Sequence, residues 1–95
     1  MPPAETPAGS AVPRRVLGQY LRELRQQAGL TVKLGARLME WSEPKLWRIE
    51  TGQTTLRTLD VQAMCAAYGA GPGLTRALAG LATQTRADGW WRAFG

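Results

Sequence analysis

The sequence has no histidine and a single cysteine, Cys65, and these two absences exclude several kinds of site. One cysteine cannot form an internal disulfide, and without histidine there is no Cys/His set for structural zinc. Histidine-based catalysis is excluded as well, and no nucleophile–base pair, metal cluster or glycine-rich phosphate loop is visible. We therefore expect a protein that is not an enzyme and that uses no cofactor. Cys65 lies in an apolar helical stretch, where we expect a buried small hydrophobe.

Long apolar runs are also missing. No stretch reaches the length of a membrane span, and the N-terminus lacks the basic start and apolar run of a secretory signal. We expect a cytoplasmic, nucleoid-associated protein that has no membrane partner. No run of alternating apolar and polar residues is long enough to predict a strand, which favours an all-α fold.

Acidic residues are scarce relative to basic ones, with seven Asp and Glu against twelve Lys and Arg. The imbalance is concentrated in residues 14–57, which hold nine basic and four acidic side chains. Residues 58–95 hold three basic and two acidic side chains. A charge excess confined to one half of a chain predicts a surface that faces a polyanion. Charge alone is equally compatible with an ordinary solvated helical surface.

Composition divides the chain into three segments. Residues 1–13 contain four of the six prolines and only Val12 as a larger aliphatic side chain, so we expect a disordered tail. Residues 14–70 carry apolar residues at helical spacing and form the predicted core. Residues 71–95 follow a Gly/Pro break and predict a C-terminal helix with a Trp-containing segment.

Helix start and stop signals predict five short helices. Gly29 ends the first helix, and Thr31 caps a second that runs to about Met39. Ser42 caps a third helix, which Gly52 ends. The fourth is expected to be capped by Thr58 and to run to about Tyr68. We assign to inward faces Leu17, Tyr20, Leu21, Leu24 and Ala28 of the first helix, Leu59, Val61, Met64, Cys65 and Tyr68 of the fourth, and Leu74, Leu78, Leu81 and Ala82 of the fifth.

The second and third helices have the spacing that insertion into a DNA groove requires, namely two short helices joined by a tight turn. Within helix 42–51, Leu46 and Ile49 are predicted to point inward. At 100° per residue the opposite face then holds Pro44, Trp47 and Arg48, flanked by Glu43 and Lys45. Arg and Lys suit guanine O6 and N7, and Glu can accept a hydrogen bond from cytosine N4.

Phosphate contacts typically come from hydroxyls, amides and helix N-termini, which here lie at helix starts and in the loop after the third helix. Together with the helix-three side chains, the candidate DNA-binding residues are Thr31, Lys33, Ser42, Glu43, Pro44, Lys45, Trp47, Arg48, Thr51, Gln53, Thr54 and Arg57.

Residues 16–70 resemble the phage-repressor, or XRE-type, helix-turn-helix regulators. The resemblance is carried by Gly29-Leu30-Thr31, Ala36, Met39, Trp41-Ser42, Lys45-Leu46 and Arg48-Ile49-Glu50-Thr51-Gly52. The C-terminal part of the sequence narrows the resemblance further. A helix of the kind Leu74–Arg86 followed by Gly89-Trp90-Trp91 is similar to the actinobacterial XRE regulators, in which a larger C-terminal domain comes next. Such a domain would lie beyond residues 71–95.

The resemblance implies a five-helix, lambda-repressor-like domain that regulates transcription by binding double-stranded DNA as a homodimer. Family members often act beside a small partner protein in antitoxin-like pairs. The family commonly ties its first and third helices with an Arg–Glu pair, which implies a structural pair between Arg25 and Glu50. Two positions depart from the family pattern. Val32 stands where a polar residue is usual, and Trp47 replaces a small polar residue in the middle of the recognition helix.

Several residues keep a second interpretation. Glu43 can complement the positive helix N-terminus instead of reading a base. Trp47 can contact DNA or belong to a protein interface. Trp90 and Trp91 can pack back onto the fifth helix or form a partner interface. For the whole chain, the alternative function is a protein-binding, antitoxin-like module.

Overall fold

The computed structural model describes the backbone of residues 5–94 and the side chains of residues 12–85. These residues form five helices and no strand, which confirms the predicted all-α class. The helices are α1 (Glu5–Gln27), α2 (Val32–Met39), α3 (Glu43–Glu50), α4 (Thr58–Tyr68) and α5 (Pro72–Phe94).

The starts of α2 and α3 lie at the predicted caps. Thr31 Oγ1 accepts a hydrogen bond from the amide of Leu34 at 3.1 Å, and Ser42 Oγ accepts one from the amide of Lys45 at 3.2 Å. Each hydroxyl satisfies one of the free amides of a first helical turn. Pro44 lies in the first turn of α3, where a missing amide hydrogen costs little.

The start of α4 differs from the prediction by one residue. Thr58 is the first helical residue rather than the cap, and Arg57 occupies the cap position with an extended backbone. The amide of Arg57 donates to Asp60 Oδ2 at 3.4 Å. The carboxylate of Asp60, the third residue of α4, therefore supports this helix start instead of the Thr58 hydroxyl.

The N-terminal helix is longer than the sequence indicated. It begins at Glu5, so residues 5–13 differ from the disorder that we expected there. Pro7 falls in the first turn of α1, where amides have no intrahelical partner, and only Pro13 removes a hydrogen bond from the helix. Residues 1–4 of the expected tail lie outside the described residues.

The core is built on Leu17 and Leu21 of α1, and all five helices contribute to it. Its other buried side chains include Leu46, Ile49, Val61, Met64, Cys65, Tyr68, Leu78, Ala79 and Ala82. Because α5 packs against α1 and α4, the core continues beyond residue 70, where we had ended it. Burial raises the pKa of the Cys65 thiol, as expected for a cysteine that acts as a core hydrophobe.

Four side chains that we assigned to inward faces are exposed, namely Tyr20, Ala28, Leu59 and Leu74. Leu59 is 71% exposed because the inward face of α4 is set by Val61, Met64, Cys65 and Tyr68. Two residues before Val61 a helix has turned by about 200°, which directs Leu59 toward solvent.

The implied Arg25–Glu50 pair is present and holds α3 against α1. Arg25 Nε donates to Glu50 Oε2 at 2.6 Å, and Arg25 Nη2 donates to Glu50 Oε1 at 2.9 Å. Arg25 Nη1 also donates to the carbonyl of Leu30 at 2.7 Å, so one side chain joins α1, α3 and the loop before α2. The hydrogen bond to Glu50 outweighs the cost of burial and raises the pKa of Arg25.

Gly18 allows α1 to approach the end of α3 closely. A Cβ placed on this residue would collide with the carbonyl oxygens of Ile49 and Glu50. The missing side chain therefore sets the distance between the two helices. Among the described residues, no helix is both long and apolar enough to cross a membrane.

Candidate nucleic-acid interface

The outer face of α3 carries the side chains that the helical periodicity predicted. Glu43, Pro44, Lys45, Trp47 and Arg48 are exposed. Leu46 and Ile49, by contrast, are buried in the core. The helix is only eight residues long, so its inward contacts and its link to α1 hold it in place.

One side of this outer face is basic. Lys45 and Arg48 line a groove together with Thr54, Thr55 and Arg57 of the following loop and Asp60 of α4. The Lys45 ammonium lies 4.5 Å from the centroid of the Trp41 ring, a cation–π contact that fixes its direction. Lys45 was predicted to flank the outward face of α3, and it is exposed there, while this contact holds its ammonium beside the α2–α3 turn.

The other side of the outer face is apolar. Val32 at the start of α2 lines a shallow pocket with Glu43, Pro44 and Trp47. The Trp47 side chain is 53% exposed, and a second, adjacent pocket joins it to Val32 and Arg22. The two departures from the family pattern, Val32 and Trp47, therefore form one surface.

The loop after α3 is tied to α3 and to α1. The Thr51 hydroxyl donates to the carbonyl of Trp47 at 2.8 Å, and Gln53 Nε2 donates to Thr51 Oγ1 at 3.1 Å. Arg14 Nε donates to the carbonyl of Gly52 at 3.2 Å. Gly52 has a φ of +75°, and a Cβ there would lie 2.8 Å from Arg15 Cα. Glycine is therefore required at this point by both its conformation and its close contact.

The remaining positively charged and hydroxyl candidates surround α3. Thr31 and Lys33 are exposed at the start of α2, and Thr54 is exposed in the loop. The Arg57 side chain is 72% exposed and forms an ion pair with Asp60, with Arg57 Nε 3.3 Å from Asp60 Oδ2. An exposed pair of this kind is weak, so the guanidinium can exchange Asp60 for another anion.

The structure thus brings together most of the candidate residues around one helix, and it adds residues that the sequence did not single out. Arg14, Arg22 and Trp41 reach this surface from α1 and the α2–α3 turn. No local pattern distinguishes them, because their positions depend on how the helices cross. The side chains of Trp90 and Trp91, predicted as a partner interface, lie outside the described residues.

Metal binding finds no support in the part of the chain that the structure describes. There, no group of three His, Cys, Asp or Glu side chains is close enough together to hold a metal ion.

Two short helices joined by a tight turn, with the second exposed along one face and braced by α1, define a helix-turn-helix protein. The sequence matches the helix-turn-helix domain family over residues 16–78, and the chain belongs to this family. The match covers α2 and α3 and extends into α5, in agreement with the core described above. No curated protein matches the chain. Helix-turn-helix domains are DNA-binding domains and are typically not enzymes.

Proposed function

We propose that this protein is a sequence-specific transcriptional regulator that inserts α3 into the major groove of DNA. The observation that carries the proposal is the division of α3 into a buried face and an exposed face that is rich in base-reading chemistry. Leu46 and Ile49 anchor the helix, which leaves Glu43, Trp47 and Arg48 available to a ligand. A helix presented in this way fits the width of the major groove.

Charge supports the same proposal. The described cations near α3 include Arg22 on α1, Lys45 and Arg48 on α3, and Arg57 before α4. Positive charge on both sides of a protruding helix matches the two phosphate strands that border a groove. A neutral protein partner would not require this distribution.

Within the proposal, the candidate residues take two roles. Arg48 and Glu43 lie on the exposed face of α3 and are proposed to contact base edges. Lys45, held beside Trp41, and Arg57 lie along the basic groove and are proposed to contact phosphates. The ammonium of Lys33 and the hydroxyl and amide groups at Thr31, Ser42, Thr51, Gln53 and Thr54 are proposed to support them. Ser42 and Thr31 already use their hydroxyls as caps, so the helix N-termini that they hold are the relevant groups.

Binding as a homodimer is part of the proposal, because helix-turn-helix proteins of this type usually occupy two half-sites roughly 34–36 Å apart. A selected DNA site with two symmetric halves would support it.

Selection of bound sequences from a random DNA pool tests the proposal directly. We expect a symmetric consensus and an affinity that falls steeply with salt, because phosphate contacts release counterions. Arg76→Ala is the control for Arg48→Ala, because both substitutions remove one positive charge. Arg76 lies on α5, which packs against α1 and α4. The proposal fails if the pool yields no consensus or if binding is independent of salt.

A second candidate function, a protein-binding and antitoxin-like module, is favoured by a different surface. Val12, Val16 and Tyr20 are exposed at intervals of four residues along α1. Exposed apolar side chains in one row are typical of helix–partner contacts. Trp90 and Trp91 remain sequence-based candidates for the same role. Co-purification of a stoichiometric partner that Val16→Ser and Tyr20→Ser release would support this function, which is compatible with DNA binding.

A further inference from the structure

The apolar side of the α3 surface remains partly exposed among the described residues. It consists of Val32, Pro44 and Trp47, with the carboxylate of Glu43 at its edge, and we call it the Trp47 patch. The Trp47 indole is about half exposed, whereas the other large apolar side chains of α3, Leu46 and Ile49, are buried. A contiguous exposed apolar patch that is bordered by polar side chains typically marks an interaction site.

Positive charges border the Trp47 patch. Arg22 shares a pocket with Val32 and Trp47 on one side, and Arg48 follows Trp47 directly on α3. A second copy of this chain would present the same two arginines and the Glu43 carboxylate, so self-association through the patch would leave an excess of positive charge. The occupant that fits both features is a polyanion with an apolar group on its surface.

We propose that the Trp47 patch packs against the C5-methyl group of thymine in the major groove, and this proposal rests on the DNA-binding function above. The thymine methyl is the one apolar group that base pairs display at the major-groove edge. Helix geometry supports the assignment, because Trp47 is three residues from Pro44 and four from Glu43, so the three side chains share one face.

The position of Glu43 extends the proposal to a neighbouring base. Its carboxylate lines the same pocket as the indole and can accept a hydrogen bond from the amino group of cytosine N4. Each half-site is therefore expected to hold a thymine next to a cytosine, whose N4 amino group donates to the Glu43 carboxylate. Trp47 and Val32 then determine specificity, and they do so through methyl contact and not through hydrogen bonds.

The test deletes only the methyl group. Each thymine of a sequence selected from the random pool is replaced in turn by deoxyuridine, which keeps the hydrogen-bonding edge of the base. For the unmodified protein we expect an affinity loss of about fourfold at one thymine of each half-site, the loss that corresponds to one methyl group removed from an apolar contact. Other thymines should show no loss.

The variants Trp47→Ala and Val32→Thr link this loss to the patch. Trp47→Ala should bind the thymine and uracil forms of that site equally. Val32→Thr keeps the side-chain shape but replaces a methyl group by a hydroxyl, and should reduce the difference without abolishing it. Arg48→Ala is the comparison, and it should retain the full fourfold difference between the two forms. Circular dichroism verifies that each variant keeps its helices.

Three results would overturn the proposal. If no uracil substitution changes the affinity for the selected sequence, the protein reads DNA but the patch does not contact a methyl group. If Trp47→Ala weakens the selected sequence and random DNA equally, the indole contacts the sugar–phosphate backbone. If the unmodified protein shows no salt-dependent binding and no consensus, the DNA-binding function itself fails, and the thymine contact fails with it.

Discussion

Arg25 and Glu50 form a two-hydrogen-bond ion pair whose side chains are only 6% and 5% exposed. Glu50 is the last residue of α3, so the pair connects the end of the proposed recognition helix to α1. Pairs of this kind are costly to break because the remaining charge is left buried without a partner. The orientation of α3 and the stability of the domain are therefore coupled.

The first prediction concerns the strength of this pair. Arg25→Ala and Glu50→Ala should each lower the free energy of unfolding by about 3–5 kcal/mol. The double variant should lose clearly less than the sum of the two, because the second substitution removes a charge that is already unpaired. Chemical unfolding of the three variants gives the coupling energy.

The Arg57–Asp60 pair supplies a matched control for the same double-mutant cycle. It is also an Arg–carboxylate pair, but its shortest contact is 3.3 Å instead of 2.6 Å and its guanidinium is largely exposed. We expect a coupling of roughly 0–1 kcal/mol there. Equal coupling energies in the two cycles would contradict the interpretation that burial makes the Arg25–Glu50 pair strong.

The second prediction concerns the close approach of α1 and α3 at Gly18. Gly18→Ala should destabilise the protein by about 1–3 kcal/mol, because the new methyl group meets backbone carbonyls that cannot move away freely. Gly80→Ala in α5 is the control, since its Cβ would enter open space. That substitution should instead stabilise the protein by about 0.5–1 kcal/mol through helix propensity. Thermal unfolding distinguishes the two signs, and stabilisation by Gly18→Ala would refute the close contact.

The third prediction concerns Tyr68, whose hydroxyl is buried and has no hydrogen-bond partner among the described residues. Tyr68→Phe removes this unsatisfied group and should leave the stability at neutral pH unchanged or raise it by about 1 kcal/mol. Tyr20→Phe is the control, because that tyrosine is about half exposed and its loss should change the free energy of unfolding little. A loss of more than about 1 kcal/mol in Tyr68→Phe would show that the hydroxyl makes a favourable contact.

The raised pKa of Tyr68 also predicts that the protein loses stability at alkaline pH. Burial raises the pKa of Tyr68 to about 12, with a further contribution from the Glu50 carboxylate. The unfolded chain, with an ordinary tyrosine pKa of about 10, then releases this proton at lower pH than the folded protein does. The stabilising contribution is therefore complete below pH ~10 and is lost as the pH rises toward ~12. Relative to Tyr68→Phe, the unmodified protein should lose about 2–3 kcal/mol over this range, measured by urea unfolding at each pH.

The fourth prediction separates a base contact from a phosphate contact. Arg48→Ala should narrow the affinity gap between selected and random DNA by about 1–3 kcal/mol, because one position is no longer read. Arg57→Ala should weaken both DNAs alike and lower the salt slope by about one, because a phosphate contact carries no sequence information. Affinities for both DNAs at several salt concentrations test this. Equal weakening of selected and random DNA by Arg48→Ala would mean that α3 is not the reading helix.

Local features of the chain could be predicted from the sequence because they depend on neighbouring residues. The caps at Thr31 and Ser42, the first-turn Pro44 and the inward pair Leu46 and Ile49 follow from hydrogen bonding within one turn and from the 3.6-residue period. Two of the predictions that differ, at Thr58 and Leu59, concern the point where α4 begins. The Asp60 carboxylate and the Thr58 hydroxyl are both able to cap the start of α4. The sequence does not show which of them lies closer to the free backbone amides of the first turn.

The sequence by itself determined that this chain is all-α, that it contains a helix-turn-helix and which face of α3 is exposed. Only the tertiary structure decided what lies beside that face: Trp41 under Lys45, and Val32 next to Trp47. The physical reason is that periodicity specifies directions around one helix axis, whereas contacts between helices depend on their distance and crossing angle. In this protein those are set by the absent side chain of Gly18 and by the buried pair of Arg25 and Glu50, which act between segments far apart in the chain.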